Sequence, residues 1–149
     1  QSFNYGYQRK ISYERTLKEN NISLDINYYQ ESLLGSTDNG VKLTRKLLSL
    51  KKPPTAIICS LDKFFIGSLQ ECENQKLNVG KDISIVGYND YDIFLSTKNL
   101  TYVSHPIAQM GIDSVNILNK LENGYNPEEV SILIQPILHE GKSDGPLVK

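Results

Sequence analysis

Between residues 53 and 90 two short, near-continuous apolar runs flank one amphipathic segment. The runs TAIICS (55–60) and ISIVG (83–87) are bounded by Pro, Asp, Gly and Asn. Strands of a parallel sheet covered on both faces have this pattern, because neither face needs polar side chains. Both runs end in polar, turn-forming residues, Ser60 and Asp62 in one case and Asn89 and Asp90 in the other. In an open α/β sheet, ligands bind in the crevice beyond the carboxyl ends of the strands. The pattern therefore points to a small-molecule site at these two strand ends.

The remaining periodicities predict alternating helices and strands. Residues 6–20 place Tyr7, Ile11 and Tyr13/Thr16/Leu17 along one face of a helix. Residues 26–30 read as a short strand. Ser36, Thr37 and Asp38 offer N-caps to a helix over 41–50, stopped by Pro53-Pro54. Asp62 is placed to cap a helix over 63–75, with Phe64, Phe65, Leu69 and Cys72 at helical spacing. Residues 100–104 predict a strand. Pro106 starts a helix over 107–121 with Met110, Val115, Leu118 and Leu121 inward, ending near Asn123-Gly124. A last strand over 130–138 is interrupted by Pro136. The alternation implies an α/β fold with a three-layer, doubly wound, mostly parallel sheet.

Composition removes several classes of function. The 149 residues carry a formal charge of −1 and no Lys/Arg-rich arm, so this segment lacks the electrostatic footprint of a nucleic-acid binder. No apolar run approaches the about 20 residues that cross a bilayer, and the opening QSFNYGYQRK is not a signal peptide. Cys59 and Cys72 fit buried thiols in a reducing compartment better than a disulfide framework. His105 and His139 have no metal-ligand spacing. Ser60, His105 and Asp62 can be arranged on paper as a triad, but no nucleophile elbow accompanies them, so no catalytic residue, metal or cofactor is expected.

Several ordered segments resemble the effector-sensing part of the lactose/galactose repressor (LacI/GalR) family of bacterial transcription regulators. They are RKISYERTL, PPTAIICSLDKFFIGSL and LNVGKDISIVGYND, followed by Leu100-Thr101, Met110-Gly111 and the closing Pro136-x-Leu138-x-Glu140…Ser143. Together these six pieces span almost the whole chain. The resemblance implies a periplasmic-binding-protein-like fold of two lobes closing over an effector, with a helix-turn-helix domain ahead of them. Residues 1–104 and 125–149 would belong mainly to the C-terminal lobe, and 105–124 to a crossover helix of the N-terminal lobe. The segment would begin just after the first strand of its lobe. The DNA-binding headpiece would be missing. That strand is normally central, so two neighbours would lose backbone partners unless residues 1–5, another copy of the chain or sequence outside it filled the gap.

The resemblance also assigns roles. Arg9 matches an effector-contacting arginine, and a guanidinium can fork onto hydroxyls, a carboxylate or a phosphate. Asn89 stands where the family usually carries an aspartate. Asp62 combines helix capping with a ligand contact, and Ser60 and Tyr88 complete the candidate ligand set. Leu61 replaces an asparagine used for hydroxyl recognition, and Gly35 falls where relatives carry a stacking aromatic that Tyr28 or Tyr29 could replace. Phe64, Phe65, Ser68 and Leu69 lie where the family forms its dimer interface. The implied protein is a cytoplasmic homodimer that binds a sugar or sugar derivative and reaches DNA only through another domain. A sugar-binding receptor of a transport system, with the same fold, is the alternative.

Overall fold

The two apolar runs pair as predicted. The computed structural model describes residues 4–88 and 99–146. In it β1 (Ala56–Cys59) and β2 (Ser84–Tyr88) run parallel, in register from Ala56 opposite Ser84 to Cys59 opposite Gly87. A parallel pair needs a crossover, supplied here by helix α3 (Asp62–Asn74). Strand β3 (Tyr102–Ser104) adds in parallel to β2, and β4 (Ile137–His139) adds antiparallel to β3. The sheet order is β1-β2-β3-β4, so the fold is α/β with an open, mostly parallel sheet.

Helix α2 (Thr37–Leu48) packs on α3, and α3 packs on β1 and β2. Phe65, fully buried, lies under Gly87, so a Cβ at Gly87 would press to 3.1 Å of its ring. Leu47, Ile57, Cys59, Cys72, Ile83, Ile85 and Tyr102 complete the core. The two helices approach closely because Gly40 and Gly67 face each other's backbones: a Cβ on Gly40 would meet Phe64 Cα at 2.8 Å. Thr44 Oγ1 and Ser68 Oγ share a buried hydrogen bond of 2.7 Å, and Cys59 Sγ lies 3.3 Å from the same Ser68 hydroxyl. Burial pushes the Cys59 thiol up to about 12 and the Cys72 thiol up to about 11, because the apolar surroundings disfavour a thiolate.

Residues 141–145 close the seam between β2 and the start of β3. Ser143, 1% exposed, donates its hydroxyl to the Ile85 carbonyl at 2.7 Å and accepts from the Thr101 amide at 2.8 Å. The Ile85 amide in turn donates to the Ser143 carbonyl. The Gly141 amide donates to Thr101 Oγ1, and Gly145 reaches the Ser84 hydroxyl.

Several expectations need correction. Residues 26–30 form no strand: Ile26–Tyr28 is a one-turn 3-10 helix, because Asp25 Oδ1 accepts the Asn27 amide at 2.9 Å and turns the chain. A gap flanked by two strands is therefore not what the described residues show; β1 alone stands at that edge. Residues 127–130 form helix α5 (Pro127–Val130), where Asn126 and Glu129 close a capping box, and strand β4 begins only after Pro136. Helix α4 (Ile107–Glu122) buries no residue: Met110 is 42%, Val115 58% and Leu118 59% exposed and Leu121 is half-buried, so most of the face expected inward is bare. Finally, Leu61 rather than Asp62 occupies the N-cap of α3, and Asp62 is its first helical residue. In helix α1 (Asn4–Glu19), Tyr7 and Ile11 are likewise exposed.

Candidate functional site

The carboxyl ends of β1, β2 and β3 bring four of the singled-out residues together. Strand β1 ends at Cys59, so Ser60 lies just beyond it, and its backbone carbonyl accepts a hydrogen bond from Arg9 Nη1. Arg9 comes from the first half of α1, and its guanidinium carbon lies 4.0 Å over the ring of Tyr88, the last residue of β2. The ring face carries the negative part of the aromatic quadrupole, so the cation is held there electrostatically. The Tyr88 hydroxyl meets His105 Nε2 at 2.9 Å, and the two rings are edge-on with centroids 5.1 Å apart. His105 follows β3 directly and precedes Pro106, where the chain leaves the sheet for α4.

Arg9, Ser60, Tyr88 and His105 are all half-buried. Stacking engages the face of a guanidinium and keeps its N–H donors in the plane of the edge. A flat, oriented donor fork beside a phenol and an imidazole is suited to hydroxyl or carboxylate oxygens on a small polar molecule.

The other expected contacts sort differently. Asp62 sits at the start of α3, and its Oδ1 accepts the Lys63 amide at 2.7 Å. A carboxylate there also complements the positive end of the helix. Asn89 lies outside the described residues. Tyr28 donates its hydroxyl to the Lys52 carbonyl at 2.9 Å, and Lys52 precedes β1, at the opposite end of that strand. Tyr29 lies under the Lys10 ammonium, 4.6 Å from its centroid. His105 is bonded to Tyr88 rather than to Ser60, unlike the paper triad. Among the described residues, no group of three acidic, Cys or His side chains could hold a metal ion.

Two of the four expected interface residues are corrected. Phe65 is 0% and Ser68 2% exposed, both enclosed by this chain's own helices and sheet. Phe64 and Leu69 are only partly buried against that core. Sequence reading did not pair His105 with Tyr88; its position immediately before a proline at a strand's end was the available signal.

The comparisons with known proteins agree with this fold. Residues 1–143 match the family described as the periplasmic binding protein-like domain. Similar curated proteins include the HTH-type transcriptional regulator RegA of Clostridium saccharobutylicum, 27% identical over 91% of this chain and 41% of that protein. The ribose operon repressor of Haemophilus influenzae is 32% identical over 81% of this chain and 36% of that protein. Among solved structures, a regulatory protein of the LacI family from Chloroflexus aggregans superposes with a TM-score of 0.79 at 28% identity. That match covers 89% of this chain and 48% of the other. The chain thus spans about two fifths of the curated relatives' length and about half of the solved chain. Among the described residues no helix is long and apolar enough to cross a membrane. The chain belongs to the periplasmic binding protein-like domain family, in the form carried by LacI-type transcriptional regulators.

Proposed function

We propose that this chain is the effector-sensing part of a LacI-type regulator and that Arg9, Ser60, Asp62, Tyr88 and Asn89 line one wall of the effector cleft. The observation that carries this reading is the guanidinium of Arg9, fixed between the Ser60 carbonyl and the Tyr88 ring at two adjacent strand ends. An arginine oriented in this way presents donors to a ligand with little further loss of freedom on binding. A sugar or sugar derivative suits those donors, and a relative named for a ribose operon favours the same class.

Helix α4 would belong to the second lobe of the same protein, which would cover its bare apolar face. Phe64 and Leu69 would remain part of a homodimer face. A helix-turn-helix domain outside this chain would bind DNA in the cytoplasm. Effector binding would favour one lobe arrangement over another, and the difference in affinity between the two would set the size of the response.

A thermal-shift screen of the full-length protein with sugars, sugar phosphates and nucleosides tests the reading. A stabilising compound that also changes operator affinity, with both effects lost in Arg9→Ala, supports it. No stabilising compound, together with an operator response unchanged in Arg9→Ala, overturns it.

A further inference from the structure

The ring that carries Arg9 is not held by the hydrophobic core. Side chains alternate faces along a strand, and Gly87, one residue before Tyr88, is the position that meets Phe65 and the helix layer. Tyr88 therefore projects from the opposite face of β2, and it is neither a core residue nor one packed against the core. Helix α1, which carries Arg9, is no firmer a support, since its Tyr7 is 58% and its Ile11 39% exposed. The Ser60 carbonyl and the Tyr88 ring orient the guanidinium. What fixes the ring then matters for the arginine.

His105 is placed to do that. Tyr88 stands opposite Val103 in the β2–β3 register. His105, two residues after Val103, continues the same face. Its Nε2 lies 2.9 Å from the Tyr88 hydroxyl, and its ring meets the phenol edge-on at 69°. The backbone of His105 is itself anchored on both sides. Ser104 before it is 2% exposed, pairs with Ile137 of β4, and has its hydroxyl 2.9 Å from His139 Nε2. Pro106 after it has φ set by its own ring, and the His105 carbonyl accepts the Ile107 amide at 2.9 Å. A directional bond from an anchored imidazole thus holds a phenol that packing leaves unsupported.

We propose that His105 is a positioning residue: by fixing the Tyr88 hydroxyl it keeps the ring against Arg9 and so orients the guanidinium at the effector wall. This rests on the effector-sensing reading above and adds to it a residue that acts through Tyr88. Without the bond, a half-buried tyrosine at a strand end can change rotamer, and the cation–π contact is lost with it.

NMR of the full-length protein carrying nitrogen-labelled arginine tests it, in the absence of any effector. The probe is the heteronuclear NOE of the Arg9 Nε–H group, which reports fast side-chain motion; Arg9→Lys identifies its signal. Arg45, pinned by Glu71, is the rigid reference, and Arg15, with a 68% exposed side chain, is the mobile one. The expected result is an Arg9 value near that of Arg45 in the wild type, falling to that of Arg15 in His105→Leu. Tyr88→Phe, which keeps the ring and removes the hydroxyl, shows the same loss. His105→Gln restores the wild-type value, because its carboxamide can reach the phenol where Nε2 stood. An Arg9 signal that stays rigid in His105→Leu or in Tyr88→Phe overturns the proposal. So does one already as mobile as Arg15 in the wild type, or one that His105→Gln fails to restore. If His105→Leu does not fold, Tyr88→Phe and His105→Gln decide by the same criteria. Since no effector is present, this result is separate from the thermal-shift screen that tests the sensing reading.

Discussion

Arg45 closes a two-pronged ion pair on Glu71: Nε meets Oε1 at 2.9 Å and Nη2 meets Oε2 at 2.8 Å. The Glu71 side chain is 2% exposed while that of Arg45 is 58% exposed, so the cation covers a carboxylate sunk into the α2–α3 interface. Gln75 donates to the same carboxylate at 2.8 Å. The Arg45 hydrogen bonds, aided by those from Gln75 and Asn74, outweigh burial and pull the Glu71 carboxyl down to about 2.

A folded-state value below the unfolded one means that the carboxylate binds protons more weakly in the native protein. Its stabilisation is complete above the unfolded value of about 4.3 and disappears as pH falls toward about 2. Urea unfolding from pH 5 to pH 2 should therefore show a loss of stability that is smaller in Glu71→Gln. Arg45→Ala should lower stability at pH 7 by about 1–3 kcal/mol, because Gln75 and Asn74 still partner the buried charge. An unchanged denaturation midpoint in Arg45→Ala would show that the pair adds nothing.

Ser143→Ala should cost about 1–3 kcal/mol in the same measurement. The change leaves the Thr101 amide without its acceptor and removes the donor to the Ile85 carbonyl. Ser114→Ala, whose hydroxyl donates to the Met110 carbonyl at the exposed surface, serves as the control and should shift the midpoint far less.

Gly67→Ala should destabilise by about 1–3 kcal/mol, the usual effect of overfilling a packed interface. The added methyl would collide with the Thr37 carbonyl oxygen and press on Val41 N at 2.7 Å. Both are backbone atoms, so the relief must come from moving α2 as a unit. Gly111→Ala meets open space and should not destabilise.

Native protein at pH 8 should resist alkylation by iodoacetamide at Cys59 and Cys72, while unfolded protein reacts at both. The thiolate is the reactive form, and burial keeps both thiols protonated well above that pH. Mass spectrometry of the two samples decides it, and rapid labelling of Cys59 in the folded state would contradict the packing described.

The parallel strands were legible because their apolar runs admit few other readings. Local hydrogen bonding overrode pattern elsewhere: Asp25 turned a β-like stretch into a 3-10 turn, and the helix begun by the Asn126–Glu129 box took Val130, the first residue of a predicted strand. For α4 the periodicity gave the helix but not its environment, since amphipathicity says which face wants burial and not what lies against it. The contact between His105 and Tyr88 joins two strand ends 17 positions apart, and only the sheet register creates it. Phe64, Phe65, Ser68 and Leu69 shared one helical stretch in the sequence, and packing alone separated the enclosed pair from the half-covered pair.

The strap formed by residues 141–145 has a consequence for biosynthesis. Ser143 bonds to Ile85 across 58 positions and to Thr101 across 42. A ribosome that has already delivered both of those strands must still make about forty more residues, at roughly 5–20 per second, before the seam between them can be sewn. Through that interval of seconds the Ile85 and Thr101 backbones depend on water or a chaperone for their hydrogen bonds.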